Sequence, residues 1–292
     1  MFTECFFKPK NIYLPLLLGA TVLLLAGCDL GNNSQSGTTS GQATSAVVNS
    51  ASALIRHSPS GTVELMWDHI SHMMIVHMAL TGLTSLSAHP ARIGAGSCKN
   101  AGETLYDLSA IKATDIGFAD VVTKVKDVSS GIPETGWHVD VSNGPGMSSN
   151  DQSMTISCAN IFNPTSSTQS SQNVQATLDE AFAPNQSVSG TADLNTANNQ
   201  LTVVVALKGL APKSKHLDHL HAGSCASQGP IKYDLNPIVA DASGNANTTT
   251  VIPNISAVPR NGWYINIHLG SSDLKSQTSN DPFACGDITT FH

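Results

Sequence analysis

The chain has 292 residues, with 14 Lys and Arg against 21 Asp and Glu, for a formal charge of -7. Its few cations form no basic run that could track phosphates, which excludes nucleic acid as a partner. Low charge, 5% aromatic residues and abundant Ser, Thr, Asn, Gly and Val point instead to short strands joined by turns.

The first predicted element is a secretory signal peptide over residues 1–27. Lys8 and Lys10 precede an apolar run from Ile12 to Leu25, interrupted by Pro15, Gly19 and Thr21, and the run closes on Leu25-Ala26-Gly27-Cys28. The run is shorter than the ~20 residues a spanning helix needs, and its end has the form of a lipobox. Cys28 is therefore expected to become the lipidated first residue of an extracytoplasmic protein whose partner is the membrane. Losing Glu4, Lys8 and Lys10 moves the charge from -7 to -8. Residues 28–43 follow as a flexible tether: Gly31 to Gln42 holds neither an apolar nor a charged residue, so nothing there offsets the entropy of ordering.

The remainder contains itself twice. Ala79-Leu80-Thr81-Gly82-Leu83 returns as Ala206-Leu207-Lys208-Gly209-Leu210, and Gly96-Ser97-Cys98 as Gly223-Ser224-Cys225. Gly136-Trp137 returns as Gly262-Trp263, and Cys158-Ala159-Asn160-Ile161 as Cys285-Gly286-Asp287-Ile288. Four blocks in one order predict two domains, residues 44–162 and 174–292, divided by the polar linker 163–173. Period-two alternation marks strands in each: Met74, Val76, Met78 and Leu80 share one face, as do Leu201, Val203, Val205 and Leu207. Further strands are expected around Thr62–Trp67, Trp137–Val141, Val174–Glu180 and Trp263–Ile267. No sustained helical period occurs beyond the signal peptide, so the expected class is all-β, with two tandem Greek-key sandwich or barrel domains.

With Cys5 removed and Cys28 lipidated, four cysteines remain, two per copy, each pair 60 residues apart. The simplest pairing in an oxidising compartment is Cys98 with Cys158 and Cys225 with Cys285. The rival reading, a four-cysteine zinc site, lacks CxxC spacing.

The chemistry-bearing stretch is His216-Leu217-Asp218-His219-Leu220-His221, followed later by Trp263-Tyr264-Ile265-Asn266-Ile267-His268. Positions 219 and 221 of a strand share a face, and a third imidazole from a neighbouring strand would complete a three-nitrogen site suited to copper or zinc. Asp273, five residues past His268, is a candidate to orient one of these rings. In the first copy His69, His72 and His77 crowd near Met74 and Met78, a set suited to Cu(I). The plainer account puts both methionines in the core by alternation, with His69 and His72 in a hairpin turn two residues longer than its counterpart. His57, His138 and His292 show no partner in the sequence and are read as solvated.

The stretch His216 to Pro237, with Ala284-Cys285-Gly286-Asp287-Ile288, resembles the copper/zinc superoxide dismutase family. Tyr264 to His268 is equally similar to the CHRD domain. The resemblance implies a superoxide dismutase-like fold, copper on His219, His221 and His268, and a structural role for His216. It also implies superoxide, or a copper donor or acceptor, as the partner. The chain departs from that family where Ile231 replaces the bridging histidine, so no zinc site is expected, and where Pro282 replaces the substrate-guiding arginine. In the first copy Arg92, Gly94 and Ser142 replace the three ligands while His89 is kept, so that copy is read as non-metallated. Three functions follow as expectations: copper-only superoxide dismutation in the second domain, copper binding or delivery without turnover, and a CHRD-like structural or interaction module without metal.

Overall fold

The computed structural model describes residues 47–180, 185 and 187–290. The signal peptide, Cys28, the tether and His292 lie outside the described residues. In chain order the longer strands of the first half are β1 (Ser50–His57), β2 (Ser60–Asp68), β3 (Met73–Thr81), β4 (Ala91–Gly96), β5 (Ala101–Asp107), β6 (Ala119–Val125), β7 (Trp137–Ser142) and β8 (Thr155–Ile161). A one-turn helix, α1 (Asn150–Ser153), precedes β8. The second half runs through β9 (Gln172–Leu178), β10 (Ser189–Ala197), β11 (Gln200–Lys208), β12 (Asp218–Ser224), β13 (Ser227–Asp234), β14 (Ala246–Pro253) and β15 (Trp263–His268), then α2 (Gln277–Asn280) and β16 (Pro282–Asp287). All pairings among these strands are antiparallel, and the all-β sandwich expected from alternation is what forms.

Alternation places the core as expected. Met74, Val76, Met78 and Leu80 are buried in the first half, and Leu201, Val203, Val205 and Leu207 in the second. Asn198 and Asn199, with φ of 52° and 58°, make the two-residue turn between β10 and β11, the conformation that matches strand twist in a tight hairpin. The corresponding turn between β2 and β3 spans residues 69–72, two residues longer, and carries His69 and His72. Met74 and Met78 are core, His77 pairs with Asp120 at 2.7 Å and His69 with Ser171 at 3.1 Å, so this group does not converge.

One sandwich packs the sheet β9-β2-β3-β6 against β8-β7-β4-β5. The other is a continuous eight-stranded sheet, β13-β12-β15-β16-β1-β10-β11-β14, folded over its own core. The two cores trade strands across the linker 163–173. β1 leaves the first half to lie between β10 and β16, with Ala53 opposite Ala192 and Arg56 opposite Cys285. β9 leaves the second half to pair with β2, with Val174 opposite Leu65. Ala51, Ala53 and Ile55 therefore pack with the second core, and Val174 and Leu178 with the first. The halves are contiguous in sequence but interlaced in space, and residues 44–292 form one compact unit.

Both expected disulfides form, Cys98–Cys158 and Cys225–Cys285, each with Cα atoms 5.9 Å apart. Each ties the turn after β12, or after its counterpart β4, to the last strand of its half. A side chain on that last strand then accepts from the cysteine N–H: Asn160 Oδ1 from Cys98 at 2.9 Å, and Asp287 Oδ1 from Cys225 at 2.7 Å.

Candidate metal centre

β12 lies between β13 and β15, with His219 opposite Asn266 and His221 opposite Tyr264. Leu220, Ile265 and Ile267 face the core, so the alternating His219, His221 and His268 stand on the outer face of the sheet. The register between β15 and β16 shifts at Ile267/His268, a local irregularity that re-aims the last side chain. Despite facing outward, the three rings are only 7%, 7% and 4% exposed. Neighbouring loops cover them.

One ring nitrogen from each histidine lies within 4.8 Å of those of the other two. Two of the rings are hydrogen-bonded through one nitrogen, and the third faces a carboxylate. His221 Nδ1 bonds the Gly229 carbonyl at 3.0 Å, His268 Nδ1 bonds the Asn280 carbonyl at 2.6 Å, and His219 Nε2 lies 3.4 Å from Asp234 Oδ1. That leaves His219 Nδ1, His221 Nε2 and His268 Nε2 buried without a hydrogen-bond partner. Each such atom costs roughly 1–3 kcal/mol unless something satisfies it. Burial also depresses the basicity of all three rings, His268 to about 3, with the Gly229 and Asn280 carbonyls and Asp234 opposing that shift. At neutral pH the rings are uncharged and their lone pairs are free to bind. Oriented neutral imidazoles, each anchored through its other nitrogen, are the donor set a copper or zinc ion requires, and the residues fit the ion.

The anchors differ from the one expected. Asp273 is surface-exposed and faces Lys275 at 3.8 Å, while the oxygen on His268 Nδ1 belongs to Asn280, which the chain brings back through α2. His216 is 2% exposed, bonds the His268 carbonyl through Nδ1 at 3.1 Å and packs edge-on against Phe283. The two carbonyls carry no sequence signal, since main-chain oxygens are common to every residue.

Beside His221 and His268 lies a cavity of about 490 Å³, whose far wall comes from the first half: Thr84, Ser85, Asp115 and Ile116. Ile231, where the resemblance would put a bridging histidine, lies on its rim and is 49% exposed.

At the matching positions of the first half the structure has built something else. Arg92 Nε donates to Asp140 Oδ2 at 2.9 Å, and His138 Nε2 lies 3.3 Å from the same oxygen. His138, read from sequence as solvated, is 1% exposed. It occupies the space over Gly94, where an added Cβ would lie 2.5 Å from His138 Cε1. A charged network thus occupies the positions that match the clustered histidines of the second half.

His89, the counterpart of His216, bonds the Ser142 carbonyl and Ser87 Oγ and is fully buried. Burial pushes its pKa down from 6.5 to about 4. The unfolded chain takes up this proton near pH 6.5 while the folded chain resists until near 4, so the stability is present above 6.5 and is lost as pH falls between those values. Over that window the loss should be roughly 3 kcal/mol. Urea unfolding at pH 7 and pH 4.5 should show it, and His89→Gln should flatten that part of the profile; a variant with the wild-type acid slope would assign the loss to other groups.

No curated protein matches the chain. Residues 172–272, which hold all three clustered histidines and begin at the exchanged strand β9, match the family model of the CHRD domain, a β-sandwich family.

Proposed function

We propose that this is an exported, lipid-anchored protein that holds one copper ion on His219, His221 and His268 in the second of two duplicated, superoxide dismutase-like sandwiches. The observation that carries this reading is the convergence of three buried histidine rings, each with a buried nitrogen that has no hydrogen-bond partner. Copper bound there would supply one-electron chemistry, exchanging electrons with superoxide or with a copper donor or acceptor. The chain's own residues orient the rings through Gly229, Asn280 and Asp234, exclude bulk water, and leave one side open toward the cavity.

Asp115 is the charged side chain on the cavity wall, and neither Arg nor Lys is among the lining residues. In a protein already acidic overall, this field repels an anion and favours a cation. Copper holding or delivery therefore fits the site better than rapid dismutation. The match to the CHRD domain favours a second reading, a structural or interaction module without metal.

Metal analysis of the soluble chain, begun after Cys28, separates these readings. Copper should bind at one ion per chain with a tetragonal Cu(II) spectrum, and His268→Ala should weaken binding by more than roughly a hundredfold, beyond what losing an outer hydrogen-bond partner costs. Copper at a hundred times its Kd should raise the unfolding free energy by about 2.7 kcal/mol. Superoxide decay should be slow and should quicken as salt screens the acidic field. Wild-type protein that takes up no copper at micromolar concentration, or an alanine variant that binds equally well, returns the second reading.

A further inference from the structure

The first half has no ligand set of its own at the matching positions, yet it touches the segment that orients His268. Gln277 opens α2 and reaches into the first half with three hydrogen bonds. Its Oε1 accepts from Ala88 N–H at 3.2 Å, and its Nε2 donates to the carbonyls of Ala88 at 2.8 Å and Asn143 at 3.0 Å. Asn143 returns a bond from Nδ2 to the Thr278 carbonyl at 3.4 Å. Ala88 precedes His89, and Asn143 follows Ser142, the counterpart of His268. The surface gripping α2 therefore lies beside the first-half positions that match the second half's histidines.

At the other end of α2, Asn280 offers the carbonyl that holds His268 Nδ1 at 2.6 Å, the shortest of the three ring anchors. Four residues of helix link the two contacts: Asp281 N–H bonds the Gln277 carbonyl at 2.8 Å, and Gly270 N–H bonds that of Ser279 at 2.8 Å. A shift of Gln277 is carried to Asn280 because one helical turn moves as a unit. From this geometry we infer that the first half acts as a clamp on the second half's site, with Gln277 as the positioning residue that sets the orientation of His268 through α2.

The inference rests on the copper reading for its purpose, but not for its test. In metal-free chain, exchange of the His268 Nδ1 proton, followed by NMR, should be slow in wild type and at least about tenfold faster in Gln277→Ala. The His221 Nδ1 proton, anchored on Gly229 within the second half, should be unchanged and is the internal control. Gln277→Glu keeps the acceptor and loses both donors, so it should fall between the two. In copper-loaded chain the alanine variant should bind about tenfold more weakly, the cost typical of losing support to a ligand, with a changed Cu(II) spectrum. Unchanged exchange at His268, or equal acceleration at His221 and His268, overturns the clamp. Failure of wild type to bind copper overturns the proposed function alone, because the proton-exchange comparison still decides the clamp.

Discussion

A chain that begins at residue 58 should keep its first sandwich and lose its second, together with the three-histidine cluster. β1 is an interior strand of the eight-stranded sheet, paired with β10 over Ser50–Ile55 and with β16 at Arg56 and His57. Without it, β13-β12-β15-β16 and β10-β11-β14 are no longer joined, and two strand edges open. Ile55 alone, fully buried, contributes about 2–3 kcal/mol of burial, and Ala51, Ala53 and six residue pairs with β10 go with it. β9 cannot repair the loss, since it already fills the matching place beside β2, and one strand cannot occupy two slots. Limited proteolysis should therefore cut within residues 187–290 while sparing 60–180. Copper uptake should fall with the second sandwich, and a peptide of residues 47–57 should restore both. If the truncated chain stays protease-resistant throughout with full copper uptake, the strand exchange does not exist in solution.

The same exchange shows why some of this protein is legible in its residues and some is not. Alternation in Met74 to Leu80 and Leu201 to Leu207 identifies strands and their buried faces, because a period of two has only one geometric meaning. The paired cysteines, 60 residues apart in each half, identify their own partners, and HxH followed by His268 identifies the ring cluster. β1 and β9 differ in kind. Ser-Ala-Ser-Ala-Leu-Ile and Asn-Val-Gln-Ala-Thr-Leu both present small apolar side chains to one face, so either strand suits either slot. Nothing local in them says which sandwich receives them. The ring anchors are hidden for another reason: two are main-chain carbonyls, one brought near by α2 and the other on β13, whereas Asp273, which the sequence offers for its carboxylate, faces Lys275. His138 is hidden because its partner Asp140 is two residues away on the same strand face, an arrangement that a surface pair would also show.

Arg92→Ala should cost about 3 kcal/mol of stability, because it strands a buried carboxylate. Asp140 is 1% exposed, and its Oδ2 is held by Arg92 at 2.9 Å and lies 3.3 Å from His138. Its Oδ1 has no partner, so when the guanidinium goes only His138 is left beside the buried charge. The corresponding variant of the second half, His219→Ala in metal-free chain, should cost much less. It removes a ring whose Nδ1 is already without a partner and whose other nitrogen faces the exposed Asp234. The contrast states what each half has done with one scaffold position. On β4, Arg92 pairs with a buried carboxylate of the protein itself; on β12, His219 leaves its Nδ1 buried without a partner. A double-mutant cycle between Arg92 and Asp140 measures the first directly, and the Arg92→Met, Asp140→Leu double variant should regain most of the loss, because apolar replacements of similar volume remove the stranded charge. A loss under about 0.5 kcal/mol for Arg92→Ala, the size of an ordinary surface change, would mean that water reaches Asp140. The first half's filled site would then be no more closed than the site it parallels.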